Sequence, residues 1–269
     1  MSERIAHPFS TVPQANAQAQ QVRNAVQRAA SHTGVDFSYL IATAQRESAL
    51  NPSARAGTSS ATGLFQFIDS TWLDMVRKHG AAHGLGGYAA ALQSGGVSSD
   101  TRADILALRN NPEISARMAG ELARENAQAL QAQLGRAPNA TELYAAHFLG
   151  AGGASRLIQA AQNGAPDASA LFPREAVANR AIFFKPDGAA RSASEVLARL
   201  DLDASAHVGA GEPNPSGSFV PESGVSAQMV QALLHVALAP LLRPGERDDG
   251  DLSSALLAYQ RANANGNKV

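Results

Sequence analysis

Glu47 stands where an amphipathic helix would normally bury a hydrophobe. Over residues 35–48, the apolar side chains Phe37, Leu40, Ile41 and Ala44 recur at the i, i+3, i+4, i+7 spacing of a helix with one buried face. One further turn along that stripe reaches Glu47 and Ser48. The helix must then stop near Asn51-Pro52, because proline disfavours helical geometry in the residue before it. A carboxyl is thus carried inward at the last turn. Burial penalises its charged form, and the carbonyl end of the helix dipole adds to that penalty, so the group is expected to hold a proton near neutral pH. Such a group is a general acid. The plainer reading is an ion pair with Arg46 or Arg55.

The elements that must position this acid are helices. Alanine, glutamine, leucine and arginine abound, aromatics make up 5% of the chain, and no segment alternates β-branched residues with period two. An Ala/Gln-rich helix is expected over 16–31, followed at once by the glutamate helix. Residues 51–62 read as a loop of small residues. Asp69 reads as the N-cap of a helix reaching residue 79. The Gly-rich stretch 80–96 holds at most one short helix. Residues 112–134 form a long helix with proline in its first turn and Gly135 as its stop. Asn139 or Thr141 caps the next, to about residue 149, and Gly150-Ala-Gly-Gly153 reads as a turn between helices. Further helices are expected near 154–162, 174–182 and 192–200. Residues 203–224 read as a Pro/Gly/Ser tether. Residues 225–242 form an amphipathic helix, and a polar tail follows. The expected fold class is all-α: a helical domain over 31–202 behind an N-terminal segment and helix (1–30), and a C-terminal helical appendix (225–269).

Bulk properties narrow the function classes. A net charge of −1 over 269 residues gives no electrostatic reason to expect a nucleic-acid partner. The absence of cysteine excludes disulfide and thiolate chemistry. The longest apolar stretch, 229–242, is too short to span a bilayer, which needs about 20 residues. The first thirty residues contain no apolar run of the kind a secretory signal requires, so export by a specialised route or phage-type release is expected. His79 and His83 have the i, i+4 spacing of a metal pair, but Gly80 and Gly84 disfavour a helix there and no third ligand is visible. No metal site and no cofactor are expected.

Two ordered motifs surround the acid. The first is Gln45-Arg-Glu-Ser-Ala-Leu-Asn-Pro52; the second is Ala61-Thr-Gly-Leu-Phe-Gln-Phe-Ile-Asp-Ser-Thr-Trp72. Together they resemble the catalytic signature of soluble-type lytic transglycosylases (the SLT type, family 1, glycoside hydrolase family 23) of the lysozyme-like superfamily. The signature is Glu-Ser-x-x-Asn-Pro, a loop of small residues, and then Gly-Leu-hydrophobe-Gln. The resemblance implies a helical, lysozyme-like domain that cleaves the MurNAc–GlcNAc β-1,4 bond of peptidoglycan in the periplasm or cell wall. Glu47 would be acid and then base, closing a 1,6-anhydro ring on the MurNAc. Gln66 is expected to hydrogen-bond an N-acetyl group, Phe65 to offer a sugar an apolar face, and Ser48 to match the family serine. Thr58, Ser59 and Ser60 lie where the family places a hydroxyl near the acid.

The family's third motif is Ala-Tyr-Asn-Ala-Gly, whose tyrosine reaches the acid. The matching stretch here is Tyr144-Ala-Ala-His-Phe-Leu-Gly150. Aligned on Gly150, His147 replaces the tyrosine and Phe148 the asparagine. Either His147 or Tyr144, one turn earlier on the same face, would meet the acid or the sugar. Asn179 lines the cleft or caps a helix. Two other functions remain open at this level. One is a hydrolytic muramidase, as in goose-type lysozymes, with Asp69 or Asp74 serving the water. The other is a non-catalytic scaffold of an envelope-spanning apparatus, with 225–242 binding a protein partner.

Overall fold

The computed structural model describes residues 12–57 and 59–202. Thr58 lies outside the described residues, as do the tether at 203–224 and the appendix at 225–269. The described residues form ten α-helices and two short 3-10 segments, with isolated β-bridges only. The expected all-α class is what the described residues have.

Helix α1 spans Val12–Thr33 and α2 spans Phe37–Ser48. Helix α3 spans Asp69–His79, α4 Gly86–Gln93 and α5 Ser99–Ala107. The long α6 (Pro112–Leu134) and α7 (Ala140–Gln162) follow, then α8 (Pro173–Ala178), α9 (Arg180–Phe183) and α10 (Ala193–Leu200). Helix α6 is the central post: α1 packs along one side of it and α7 along another, and α10 packs on α7. Small residues allow these close approaches. On α1 the buried face is Val22, Ala25, Val26, Ala29 and Ala30; on α6 it includes Ala116, Ala119 and Ala123 with Met118, Leu122 and Leu130 between them.

The ends of the long helices follow their local chemistry. The Asn111 side chain accepts from the amides of Glu113 and Ile114, Pro112 takes the first helical position, and Gly135 ends α6 in the left-handed conformation (φ 71°). Asn139 caps α7 in a reciprocal capping box with Glu142. The expected break at Gly150 is a kink rather than a turn. Gly150 departs from helical geometry (φ 72°, ψ 160°), and the chain resumes as helix immediately to Gln162. Glycine alone permits that local reversal without ending the element.

Two local readings are corrected. Asp69 is the first residue of α3 rather than its cap; Ile68 holds the cap position with no side-chain bond, and the Ser60 hydroxyl accepts from the Asp69 amide at 3.2 Å. Helix α5 was not expected at all. Its apolar residues do not line one face, and only Ile105 is buried. The helix is held from outside, by burial of Ile105 and by the fully buried Trp72 of α3, whose Nε1 donates to the Ile105 carbonyl at 2.7 Å.

Candidate active site

Helix α2 presents a face rotated from the one its apolar spacing suggests. Its buried residues are Tyr39, Leu40, Thr43 and Ala44, whereas Phe37 and Ile41 are half-buried at the edge. Tyr39, Thr43 and Glu47 lie at i, i+4 and i+8, so a polar line runs along the buried side and ends on the acid. The Glu47 side chain is 5% exposed; what exposure the residue has belongs to its main chain.

Helix α7 supplies the partners. The Tyr144 hydroxyl donates to Glu47 Oε1 at 2.8 Å, and His147 Nε2 lies 3.4 Å from the same oxygen. The two rings stack, with centroids 5.5 Å apart and planes inclined by 20°. Burial first, and the neighbouring Glu47 second, push the Tyr144 phenol well above its ordinary value. It therefore stays neutral and remains a donor. Tyr39 is also pushed up, chiefly by burial; the Thr43 hydroxyl opposes this and the charge of Glu47 adds to it. Arg46 does not compete for the acid in the way an ordinary surface pair would. Its guanidinium sits 4.6 Å over the Tyr144 ring and donates to the carbonyls of Arg199 (2.7 Å) and Asp201 (3.3 Å) at the end of α10. A cation there also meets the negative end of that helix dipole.

The turn after α2 is held by strained backbone. Among the described residues the non-glycine positions with positive φ are Ala49 (52°), Leu50 (62°) and Gln66 (48°). Two immediately follow the acid and its serine, and the third closes the 63–66 turn. Such strain persists only where surrounding contacts over-determine it, and it collects at functional sites. Ser48 is one of those contacts: its hydroxyl lies 3.1 Å from the Ala44 carbonyl and 2.8 Å from the Leu64 carbonyl, tying α2 to the turn. Gln66 is another. Its side-chain amide donates to the carbonyls of Gly63 (2.8 Å) and Ala54 (3.2 Å), so the donation expected toward a ligand goes to the loop itself. Phe65 is fully buried, so its ring packs the core instead of offering a sugar a face. Asn179 is buried, and its side chain donates to the Glu175 carbonyl at 3.0 Å, the capping alternative. Phe148 likewise packs inward, against Phe183. His79 and His83 pair with Glu125 (2.7 Å) and Glu121 (2.9 Å) of α6.

Arg109 is the residue that sequence reasoning missed. It lies just before α6, and its Nη1 reaches the carbonyls of Ser60 (2.8 Å) and Phe67 (2.9 Å) and the Asp69 carboxylate (2.8 Å). It thereby grips both ends of the loop that carries Gly63–Gln66. No local pattern marks an arginine 40 residues from its carboxylate partner as its clamp. Gly63 completes the fit. Its φ is +86°, and a Cβ there would lie 2.1 Å from the Arg109 carbonyl oxygen. Gly63→Ala should therefore destabilise the domain by about 3 kcal/mol, the sum of left-handed strain and an overlap the backbone must relieve. Denaturant unfolding at constant m-value checks this; a loss below about 1 kcal/mol would refute the close packing.

Residues 24–87 match the family model of the transglycosylase SLT domain. Over that stretch the chain is similar to an SLT domain. The match includes Glu47, Ser48 and the 63–66 turn; Tyr144 and His147 lie beyond it, and packing of α7 brings them to the acid. The SLT domain relates the protein to transglycosylases that cleave peptidoglycan, and so to action in the cell wall or periplasm. No helix among the described residues is long and apolar enough to cross a membrane.

Proposed function

We propose that this SLT domain is a lytic transglycosylase that cleaves the MurNAc–GlcNAc β-1,4 bond with Glu47 as its single acid and base. The observation that carries the reading is the buried Glu47 carboxyl, which accepts the Tyr144 hydroxyl at 2.8 Å while the candidate second carboxylates are engaged elsewhere. Asp69 is ion-paired with Arg109 at 2.8 Å. Asp74 is ion-paired with Arg77 (2.5 Å) and Lys78 (2.8 Å). Burial alone would raise the Asp74 carboxyl, but hydrogen bonds from Lys78 and Arg77 outweigh it and hold the group below its ordinary value.

A glycosidase of the usual kind needs two carboxyl groups, one to protonate the leaving oxygen and one to serve as nucleophile or to activate water. With one acid the substrate must supply the second function. Glu47 gives its proton to the glycosidic oxygen as the C1–O bond breaks, and positive charge develops at C1 of the MurNAc. The carboxylate so formed then takes the proton from the sugar's own 6-hydroxyl, whose oxygen bonds to C1. The product is a 1,6-anhydro ring, no water is consumed, and Glu47 recovers its proton. The Tyr144 hydroxyl steadies the carboxylate midway.

Digesting purified sacculi and measuring the masses of the released muropeptides tests this. Anhydro ends are the expected result. Ends heavier by one water would instead identify a hydrolytic muramidase on the same fold.

A further inference from the structure

We infer that His147 is a positioning residue for this acid: it stands beside Oε1 of Glu47, the oxygen that Tyr144 already binds, and leaves Oε2 as the oxygen that gives and takes the proton. The inference rests on the reading of Glu47 as acid and then base. Both α7 side chains approach the same oxygen, Tyr144 Oη at 2.8 Å and His147 Nε2 at 3.4 Å. His147 is buried, with its side chain 6% exposed, and its Nε2 has no hydrogen-bond partner among the described residues. A buried polar atom left without a partner calls for a physical account. Stacking on Tyr144 holds the ring with this nitrogen 3.4 Å from the acid.

The account is that the bond forms during the reaction. Hydrogen bonds at active sites are often long in the free enzyme and tighten as charge appears. In the tautomer with hydrogen on Nε2, His147 makes a long contact with the neutral acid. It gains a charge-assisted bond once Glu47 has given up its proton. A contact stronger in the charged state than in the ground state lowers the barrier without tightening substrate binding. The Tyr144 hydroxyl donating to Oε1 keeps that oxygen an acceptor, so the transferable proton resides on Oε2.

The test measures turnover of sacculi by the full chain, at limiting and saturating substrate, for the parent, His147→Gln, His147→Phe and Glu47→Gln. His147→Phe should lose roughly tenfold in kcat with little change in KM, the loss expected for a donor to a charged group. His147→Gln retains a side-chain N–H donor and should keep most of the parental kcat. Parental kcat in His147→Phe would overturn the assignment, as would a kcat in His147→Gln as low as that of His147→Phe. If Glu47→Gln is dead and both His147 variants behave like the parent, His147 alone has been misassigned. An active Glu47→Gln overturns the acid reading and this inference with it.

Discussion

Glu47→Gln should reduce release of muropeptides from sacculi by at least about a thousandfold, because one substitution removes both the acid and the base. The fold should survive. Glutamine has the size of the carboxylic acid and keeps an oxygen to accept the Tyr144 hydroxyl, so the 2.8 Å contact has a successor. Nor does the substitution leave a buried charge without a partner. Thermal unfolding should therefore stay within about 1 kcal/mol of the parent, since an isosteric exchange of hydrogen-bonded groups costs little. A variant that unfolds would say nothing about catalysis, so the melt belongs beside the assay. A folded variant that still clears sacculi would place the acid elsewhere. A folded, inactive variant that still supports growth where the parent is required would favour the scaffold function over turnover.

Arg109→Met should destabilise the domain by about 4 kcal/mol and lower the melting temperature by roughly 10 °C for a domain of this size. Methionine fills much of the space but abandons the carbonyls of Ser60 and Phe67 and the carboxylate of Asp69. The Arg109 side chain is 8% exposed, so water replaces those bonds poorly; Asp69, at 33%, recovers part of its solvation. Burial lowers the guanidinium from its ordinary value, but it remains charged at any physiological pH. Activity should fall beyond the loss of folded protein. The loop that Arg109 grips carries the Leu64 carbonyl bound by Ser48, one residue from the acid. Turnover per folded molecule, measured well below the melting temperature, separates the two effects. Parental stability would refute the clamp, and parental turnover in a destabilised variant would restrict Arg109 to folding.

Glu47 and the helix that carries it were legible because both depend on neighbours in the chain. The same is true of Asn111, Gly135 and the Asn139–Glu142 box, whose hydrogen bonds close within a few residues. Helix α5 was not legible, since what holds it is Trp72, 33 residues from the carbonyl it binds. Phe65 and Gln66 illustrate the limit from the other side. Their motif was plain, yet a motif does not say whether a side chain faces ligand or core, and both turned inward to build the turn.

What the sequence determined by itself was an all-α chain with an acid at a helix end, followed by a small-residue loop and a glycine-led turn. Only the tertiary structure decided which face of α2 is buried, and which side chain meets the acid. Apolar spacing placed Phe37 and Ile41 inward; packing chose Tyr39 and Thr43, because α7 brings a tyrosine hydroxyl to Glu47 from 97 residues away. Helix rotation is set by the surface a helix packs against, and that surface is distant in the chain. Periodicity can show that a face exists, but it is the partner that selects among neighbouring faces a few tens of degrees apart.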